Sequence, residues 1–257
     1  MKNLTHESSK IFNCLFLYVL EIQHFFLYST EASHPSKSGG CFTANSTVMS
    51  SDGSRLKLSE LKIGDSVLSV NSVSGELEFS PIILFLDRDP NEARQFFTIQ
   101  TESGHSLTLT PTHLIYTSSG EVNNPKSLNT VYAKDVREGD FILVHDGQGL
   151  LKAVRVIDVG VTVATGVYAP LTAAGNIVVD NVVASCYAVI DSQNIAHAAF
   201  APLRWWSYIS DPFGASATSS KEVSNEIDSK DAGIHWYAKA LYSLAEIVLP
   251  SHLGAEP

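Results

Sequence analysis

The octapeptide Leu61-Lys62-Ile63-Gly64-Asp65-Ser66-Val67-Leu68 returns 75 residues later as Val136-Arg137-Glu138-Gly139-Asp140-Phe141-Ile142-Leu143. A second pair, Thr101-Glu102-Ser103-Gly104 and Thr172-Ala173-Ala174-Gly175, lies 71 residues apart and follows in the same order. Gly-Asp after an apolar turn is common, so neither match carries weight alone. Two matches at nearly one offset predict two copies of one small unit. The runs between Val48 and Ile190 say what that unit is made of. Val67-Leu68-Ser69-Val70, Phe97-Thr98-Ile99-Gln100, Leu107-Thr108-Leu109, Phe141-Ile142-Leu143-Val144 and Ile177-Val178-Val179 are rich in β-branched or aromatic residues that fit a pleated, half-buried surface. Asp52-Gly53, Ser74-Gly75, Ser103-Gly104, Ser119-Gly120 and Ala174-Gly175 supply turns between them. The expectation is a mainly β fold of two pseudo-symmetric β subdomains.

The chain of 257 residues suffices for one large or two small domains. A net charge of −10 argues against a nucleic-acid partner, which wants a basic face. Cys14, Cys41 and Cys186 lie far apart and form no CxxC, so no zinc site or other metal site is expected. Three cysteines do not make a disulfide framework and leave at least one thiol free.

Residues 1–38 differ from the rest. Lys2 and Lys10 precede an apolar stretch, Ile11 to Tyr28, interrupted by Asn13, Glu21, Gln23 and His24. Its cleanest part, residues 14–20, has the length of a signal-peptide core, and Thr30-Glu31-Ala32 passes as a cleavage site. Glu21, Gln23 and His24 would be costly at mid-bilayer, which disfavours a spanning helix. The segment reads as a leader, signal-like or a remnant. After Ile190 the composition shifts again. Residues 195–209 are aromatic and small-residue rich, and 211–231 read as a Ser-, Asp- and Lys-rich linker. Ile234, Tyr237, Leu241, Leu244 and Val248 then fall at helical spacing, and Pro250 ends the pattern. That helix either packs on the β region or also meets a sterol or bilayer. The expected organisation is a leader at 1–38, a β domain at 39–190 and a short helical tail at 191–257.

Chemistry centres on Gly40-Cys41. A thiol beside an unhindered glycine carbonyl can attack the peptide bond that precedes it and turn the amide into a thioester. A lone cysteine is more often a small buried apolar residue. Thr110-Pro111-Thr112-His113 and Val183-Ala184-Ser185-Cys186-Tyr187 follow downstream. An imidazole at His113 can give a proton to the departing amine of Cys41. A hydroxyl at Thr110 can bond the scissile amide, either distorting it or holding its oxygen. The plain alternatives are a hydrogen-bonded loop histidine, a strand threonine and, for Cys186, a core cysteine.

Taken together, these segments resemble the C-terminal autoprocessing region of Hedgehog proteins. The matching blocks are Gly39-Gly40-Cys41-Phe42-Thr43, Leu58 to Asp65, Ile83 to Arg88, Leu109 to Leu114, Tyr168 to Thr172, Ala184 to Ile190 and Gly233 to Tyr237, within about residues 39–253. The resemblance implies the Hint fold that Hedgehog proteins share with inteins, with a helical sterol-recognition tail. It implies autocatalytic cleavage at Gly40-Cys41 in cis, without a protein partner or cofactor, and transfer of the glycine carboxyl to cholesterol as substrate. It assigns Cys41 as nucleophile, His113 and Thr110 as its helpers and Asp87, in Phe85-Leu86-Asp87-Arg88-Asp89, as the base for the sterol hydroxyl. Cys186 becomes a modulatory thiol able to pair with Cys41. Trp205, Trp206, Trp236, Tyr237 and Leu241 become sterol or membrane contacts. A secretory-pathway location in the endoplasmic reticulum and a membrane-associated or extracellular product follow from the same resemblance. Family members carry a folded signalling domain before the Gly-Cys junction, and forty residues do not hold one, so a form without that domain is expected. This leaves open a second reading, a non-catalytic secreted or membrane-associated β module. A third, a cysteine peptidase acting in trans, is disfavoured because nothing in the chain suggests a cleft for a foreign peptide. Protein splicing is not expected, because Ala188-Val189-Ile190-Asp191-Ser192-Gln193 lacks the His-Asn pair that closes an intein.

Overall fold

A computed structural model of the chain describes residues 40–118, 120, 129–188, 200, 201, 204, 233–235 and 238. The chain divides into two compact units, Met1–Lys37 and Ser38–Pro257, and every described residue belongs to the second. The described part is mainly β. Its strands are β1 (Phe42–Thr43), β2 (Thr47–Met49), β3 (Arg55–Lys57), β4 (Ser66–Val70), β5 (Leu77–Thr101), β6 (Ser106–Leu109), β7 (His113–Ser118), β8 (Asn129–Tyr132), β9 (Phe141–His145), β10 (Leu151–Thr172), β11 (Asn176–Val179), β12 (Val182–Ala188) and β13 (Gly233–Ile234). No helix among the described residues is long and apolar enough to cross a membrane.

The repeat seen in the sequence is a repeat of structure. Strands β4 to β7 recur as β9 to β12. A 3-10 turn precedes each copy of the octapeptide, at Leu58–Glu60 and at Ala133–Asp135. The Lys62 amide donates to Asp65 Oδ2 at 2.8 Å, and the Arg137 amide to Asp140 Oδ2 at 2.8 Å. Gly64 donates to the Ile82 carbonyl at 2.8 Å, and Gly139 to the Val156 carbonyl at 2.9 Å. Both glycines sit at positive φ, +94° and +95°, where a side chain would strain the backbone. The second sequence pair behaves the same way. Thr101 Oγ1 donates to the His105 carbonyl at 3.0 Å, and Thr172 Oγ1 to the Asn176 carbonyl at 2.7 Å. Each Thr-x-x-Gly segment is therefore a turn closed by its own threonine.

The two halves are joined by β5 and β10, of 25 and 22 residues, which pair antiparallel from Thr101↔Val156 to Ile82↔Thr172. These strands are longer than their sequence runs. Pro81 and Pro90 interrupt the apolar pattern of β5, and Gly160, Gly166 and Pro170 that of β10. Register shifts at Thr165/Val167 and Ala169/Pro170 absorb Pro90, Gly166 and Pro170, because bulges are where strands accept such residues, while Gly160 pairs with Thr98 and Pro81 with Ser66 in regular register. One core cluster, including Phe42, Leu61, Phe96, Ile99, Leu107 and Leu114, serves both halves. Phe200 and Ala238, from beyond β12, are buried in that same cluster. The short strand β13 adds to the edge of β5, with Ile234 opposite Asp87 and the His235 amide donating to the Leu86 carbonyl at 2.8 Å.

Candidate active site

Strand β1 is two residues long, yet it fixes the nucleophile. Phe42 pairs with Leu109 of β6 and with Tyr168 of β10. That wedge places Cys41 against Thr110. The Thr110 amide donates to the Cys41 carbonyl at 2.9 Å, and the Cys41 amide donates to Thr110 Oγ1 at 2.8 Å. A buried amide needs an acceptor, and here the acceptor is a side chain rather than a neighbouring strand. The amide concerned is that of the Gly40–Cys41 bond. Thr110 thus holds the nitrogen of that bond, whereas the sequence left distortion of the bond or a grip on its oxygen as the options.

The spacing of Thr110 and His113 has a plain cause. The His113 amide donates to the Thr110 carbonyl at 3.1 Å, closing a β-turn with Pro111 at its second position, where proline is favoured. A turn returns its first and fourth residues to one place. His113 is fully buried, with the Phe42 ring 4.3 Å away. Its Nε2 lies 2.8 Å from the Ser185 carbonyl. A carbonyl only accepts, so Nε2 carries the proton and Nδ1 carries the lone pair, an assignment made from the bonding network. Nδ1 has no hydrogen bond of good geometry and faces Gly40: a Cβ built on Gly40 would come within 3.0 Å of it. Burial drives the His113 pKa down to about 4, against the opposing pull of the Ser185 and Gly40 backbone. The ring is neutral at pH 7.

Gly40 is required by space. An added Cβ would overlap the Ala188 Cβ. Gly40→Ala is expected to slow any reaction of the 40–41 bond by about 100-fold or more, since a displacement near 1 Å at a reacting group costs that much. Adding Ala188→Gly, which removes the overlapping carbon, should restore part of the rate, the remaining loss coming from the same Cβ pressing on the His113 ring at 3.0 Å. Cleavage time courses of the single and double variants check this.

Asp87 reaches the nucleophile from β5. The Cys41 thiol, itself fully buried, lies 3.5 Å from Asp87 Oδ2. Burial pushes the Cys41 pKa well up, the Asp87 carboxylate pushes it further, and Arg94 opposes both. Burial also raises the pKa of Asp87, with Arg94 as the main opposing influence. Asp87 Oδ1 is buried and has no hydrogen-bond partner among the described residues. The other charges of Phe85-Leu86-Asp87-Arg88-Asp89 are turned elsewhere. Arg88 stacks over the Phe85 ring at 4.6 Å, and Asp89 Oδ1 accepts from the Asn91 and Glu92 amides at 2.9 and 3.1 Å. Arg94, which the sequence reading missed, touches both reactive groups: Nη1 is 3.3 Å from Cys41 Sγ and Nη2 is 2.9 Å from Asp87 Oδ2. Glu92-Ala93-Arg94 looks like any charged surface segment, and the only available signal was an opposite-charge pair two apart on one strand face.

Cys186 is buried on β12 near Thr172 Oγ1, at 3.6 Å. Burial raises its pKa to about 11. Cys41 and Cys186 are both free thiols, so the disulfide that the resemblance allows is not formed in this structure. Trp205, Trp206, Trp236, Tyr237 and Leu241 lie outside the described residues, as do Cys14 and the leader.

The His113 environment has a thermodynamic consequence. A histidine at about 4 in the fold and near 6.5 when unfolded is neutral in both states above pH 6.5, so it contributes nothing to pH dependence there. Below that, the unfolded chain binds the extra proton first, and stability falls until pH 4. The loss amounts to about 3 kcal/mol. Urea denaturation of an uncleavable Cys41→Ala chain at pH 7 and pH 4 should show this drop, and His113→Phe should reduce it by about that amount.

Comparisons with known proteins place the chain in a family. The Hint module family model matches residues 29–250. Protein hedgehog of Drosophila virilis is 43% identical over 217 residues, covering 82% of this chain and 44% of that protein. Sonic hedgehog protein of Danio rerio is 38% identical over 227 residues, covering 87% of this chain and 53% of that protein. The chain therefore spans about half the length of these relatives. Among solved structures, the Ssp DnaB mini-intein variant M86 matches 62% of this chain and 100% of its own, at 14% identity and a TM-score of 0.48. The chain belongs to the Hint module family, in the part of it shared with Hedgehog proteins. Its fold is the Hint fold of paired β subdomains, and self-processing is the activity of this family.

Proposed function

We propose that this chain cleaves its own Gly40–Cys41 bond through an internal thioester and transfers the glycine carboxyl to the hydroxyl of cholesterol. The observation that carries this reading is the 2.8 Å hydrogen bond from the Cys41 amide to Thr110 Oγ1. It grips the nitrogen that must leave, in a site where the thiol, His113 and Asp87 converge. In the first step Sγ bonds to the Gly40 carbonyl carbon and the bond from that carbon to the Cys41 nitrogen breaks. The thiol proton ends on the new amine. His113 Nδ1, with its lone pair free, takes that proton and passes it on. Its low pKa makes the transient imidazolium a strong acid, which suits a nitrogen that leaves reluctantly. In the second step the sterol oxygen bonds to the thioester carbon and the carbon–sulfur bond breaks. Asp87 takes the hydroxyl proton and returns it to the departing thiolate 3.5 Å away. The unpartnered Oδ1 supplies an acceptor for an incoming hydroxyl.

In this reading the tail recognises the sterol, with Trp205, Trp206, Trp236, Tyr237 and Leu241 as contacts. The reaction takes place at a membrane surface of the secretory pathway, where cholesterol is at hand, and the lipid-bearing product stays membrane-associated or is released from the cell. No cofactor and no protein partner is needed, because every reacting group lies in one chain. Cys186 serves as a modulatory thiol. The test is mass spectrometry of the purified full chain, incubated with dithiothreitol or with cholesterol in detergent. Two pieces ending at Gly40 and beginning at Cys41 are expected, the first carrying the sterol when cholesterol is the acceptor. An intact chain under both conditions would sink the proposal.

A further inference from the structure

Residues 87 and 94 of one extended strand should lie about 23 Å apart, at about 3.3 Å per residue. Their side chains are nevertheless in contact, Arg94 Nη2 to Asp87 Oδ2 at 2.9 Å. The cause is a bulge in β5. Asp89 pairs with Val167 and Ala93 with Thr165, so Pro90, Asn91 and Glu92 all stand opposite Gly166. Asp89 Oδ1 caps the excursion by accepting from the Asn91 and Glu92 amides. Gly166 permits it: φ is +91°, and a Cβ there would lie 2.9 Å from the Ala44 Cβ. Bulges re-aim side chains near active sites, and this one folds Arg94 back onto the nucleophile.

Arg94 is gripped on its far side. Glu92 accepts from Nε at 3.0 Å and from Nη2 at 2.9 Å. Only 10% of the Arg94 side chain is exposed, against 15% for Glu92 and 1% for Asp87. A two-point fork of this kind fixes a guanidinium in orientation as well as place. The fixed head then presents Nη1 to Cys41 Sγ at 3.3 Å and Nη2 to Asp87. Burial alone would weaken the positive charge, but Cys41, Glu92 and Asp87 hold Arg94 protonated.

Building on the self-cleavage reading, we propose that Arg94 is a catalytic residue of this module, stabilising the negative charge that develops on Cys41 Sγ while keeping Asp87 ionised for the alcohol step. One buried cation thus serves two successive anions. When the thiol gives up its proton, Nη1 neutralises the sulfur. When the thioester forms and the sulfur loses its charge, Nη2 still holds Asp87 as a carboxylate that can accept a proton. Among the described residues, the titratable and charged groups that act on Asp87 are Arg94 and Glu92, from across the bulge, and Cys41, from the segment entering β1. β13 adds Gly233 and Ile234 beside it, neither of which titrates.

The test has two readings. In a full chain carrying Cys41→Ala, so that the bond stays intact, the Asp87 carboxyl is titrated by carbon-13 NMR. Arg94→Gln should move its midpoint up by about one unit or more, and Arg94→Lys by clearly less. In the chain with Cys41 present, Arg94→Gln removes the cation beside Sγ and should lower dithiothreitol-induced cleavage at pH 7 about tenfold, since a rise of about one unit in the thiol pKa is a factor of ten in the thiolate fraction. Its pH–rate profile should shift to higher pH, with Arg94→Lys lying between. A role confined to packing would lower the rate equally at every pH. An unmoved Asp87 midpoint, or an unmoved pH–rate profile, overturns the proposal. A moved midpoint in a protein whose parent chain never cleaves would leave the Arg94–Asp87 pairing standing and remove the self-cleavage reading instead.

Discussion

A chain with Cys41→Ala is expected to stay whole under dithiothreitol and under cholesterol, with no trace of the 40–41 cut in intact-mass spectra. This is the largest effect expected of any single substitution, because among the described residues no other thiol lies at the bond. Cys186 cannot substitute, because its thiol is buried beside Thr172 and is pushed up to about 11. The fold should survive the change. Cys41 contributes one buried sulfur to a cluster held by Phe42, Leu109 and Phe96, and its backbone bonds to Thr110 do not involve the side chain. The sulfur removed is small, so a cost of about 1–3 kcal/mol is expected. Thermal melting of the variant within a few degrees of the parent, with cleavage gone, separates chemistry from collapse. Cleavage that persists at the same bond would mean that the thioester route is wrong.

Much of this architecture was legible before any coordinates. The Gly-Asp repeat was readable because it encodes a turn that needs positive φ at Gly64 and Gly139, and such turns tolerate few substitutes. The Thr-x-x-His spacing was readable for a like reason, since a β-turn brings its ends together. The extent of β5 and β10 was not legible. Prolines and glycines read as breaks along a sequence, while here Pro90, Gly166 and Pro170 sit at bulges that the partner strand compensates. Arg94 was invisible because its place in the site depends on one such bulge, opposite Gly166. The chemistry also sits where the two halves of the fold stop matching. The link from β11 to β12 is a tight turn through Asp180 and Asn181, at φ of +50° and +67°. Its counterpart from β6 to β7 carries Thr110 and His113 instead. A symmetric frame supplies the rigid walls, and one divergent loop supplies Thr110 and His113.

Asp87→Asn should split the reaction in two. Asparagine keeps the volume of the side chain, and Arg94 keeps its paired bonds to Glu92, so the buried cation is not left alone. The carboxylate beside Cys41 raises the thiol pKa; removing it makes the thiolate easier to form. Thioester formation should therefore hold its rate or gain, and dithiothreitol, whose thiolate attacks without a base, should still cut the chain. Cholesterol should not. A sterol hydroxyl has no thiolate-like form at pH 7, and the loss of a general base costs about 100- to 10,000-fold. His113→Ala should fail with both acceptors, because the amide nitrogen then has no proton donor and the thioester never accumulates. The contrast is the informative part. Asp87 and His113 are both buried and both within reach of the 40–41 bond, so an account by packing alone predicts that the two variants fail alike. Cleavage by thiol with none by sterol in Asp87→Asn, set against failure of both in His113→Ala, assigns one residue to each half of the reaction. Normal sterol transfer in Asp87→Asn would require a different base, and the unpartnered Oδ1 would then need another explanation.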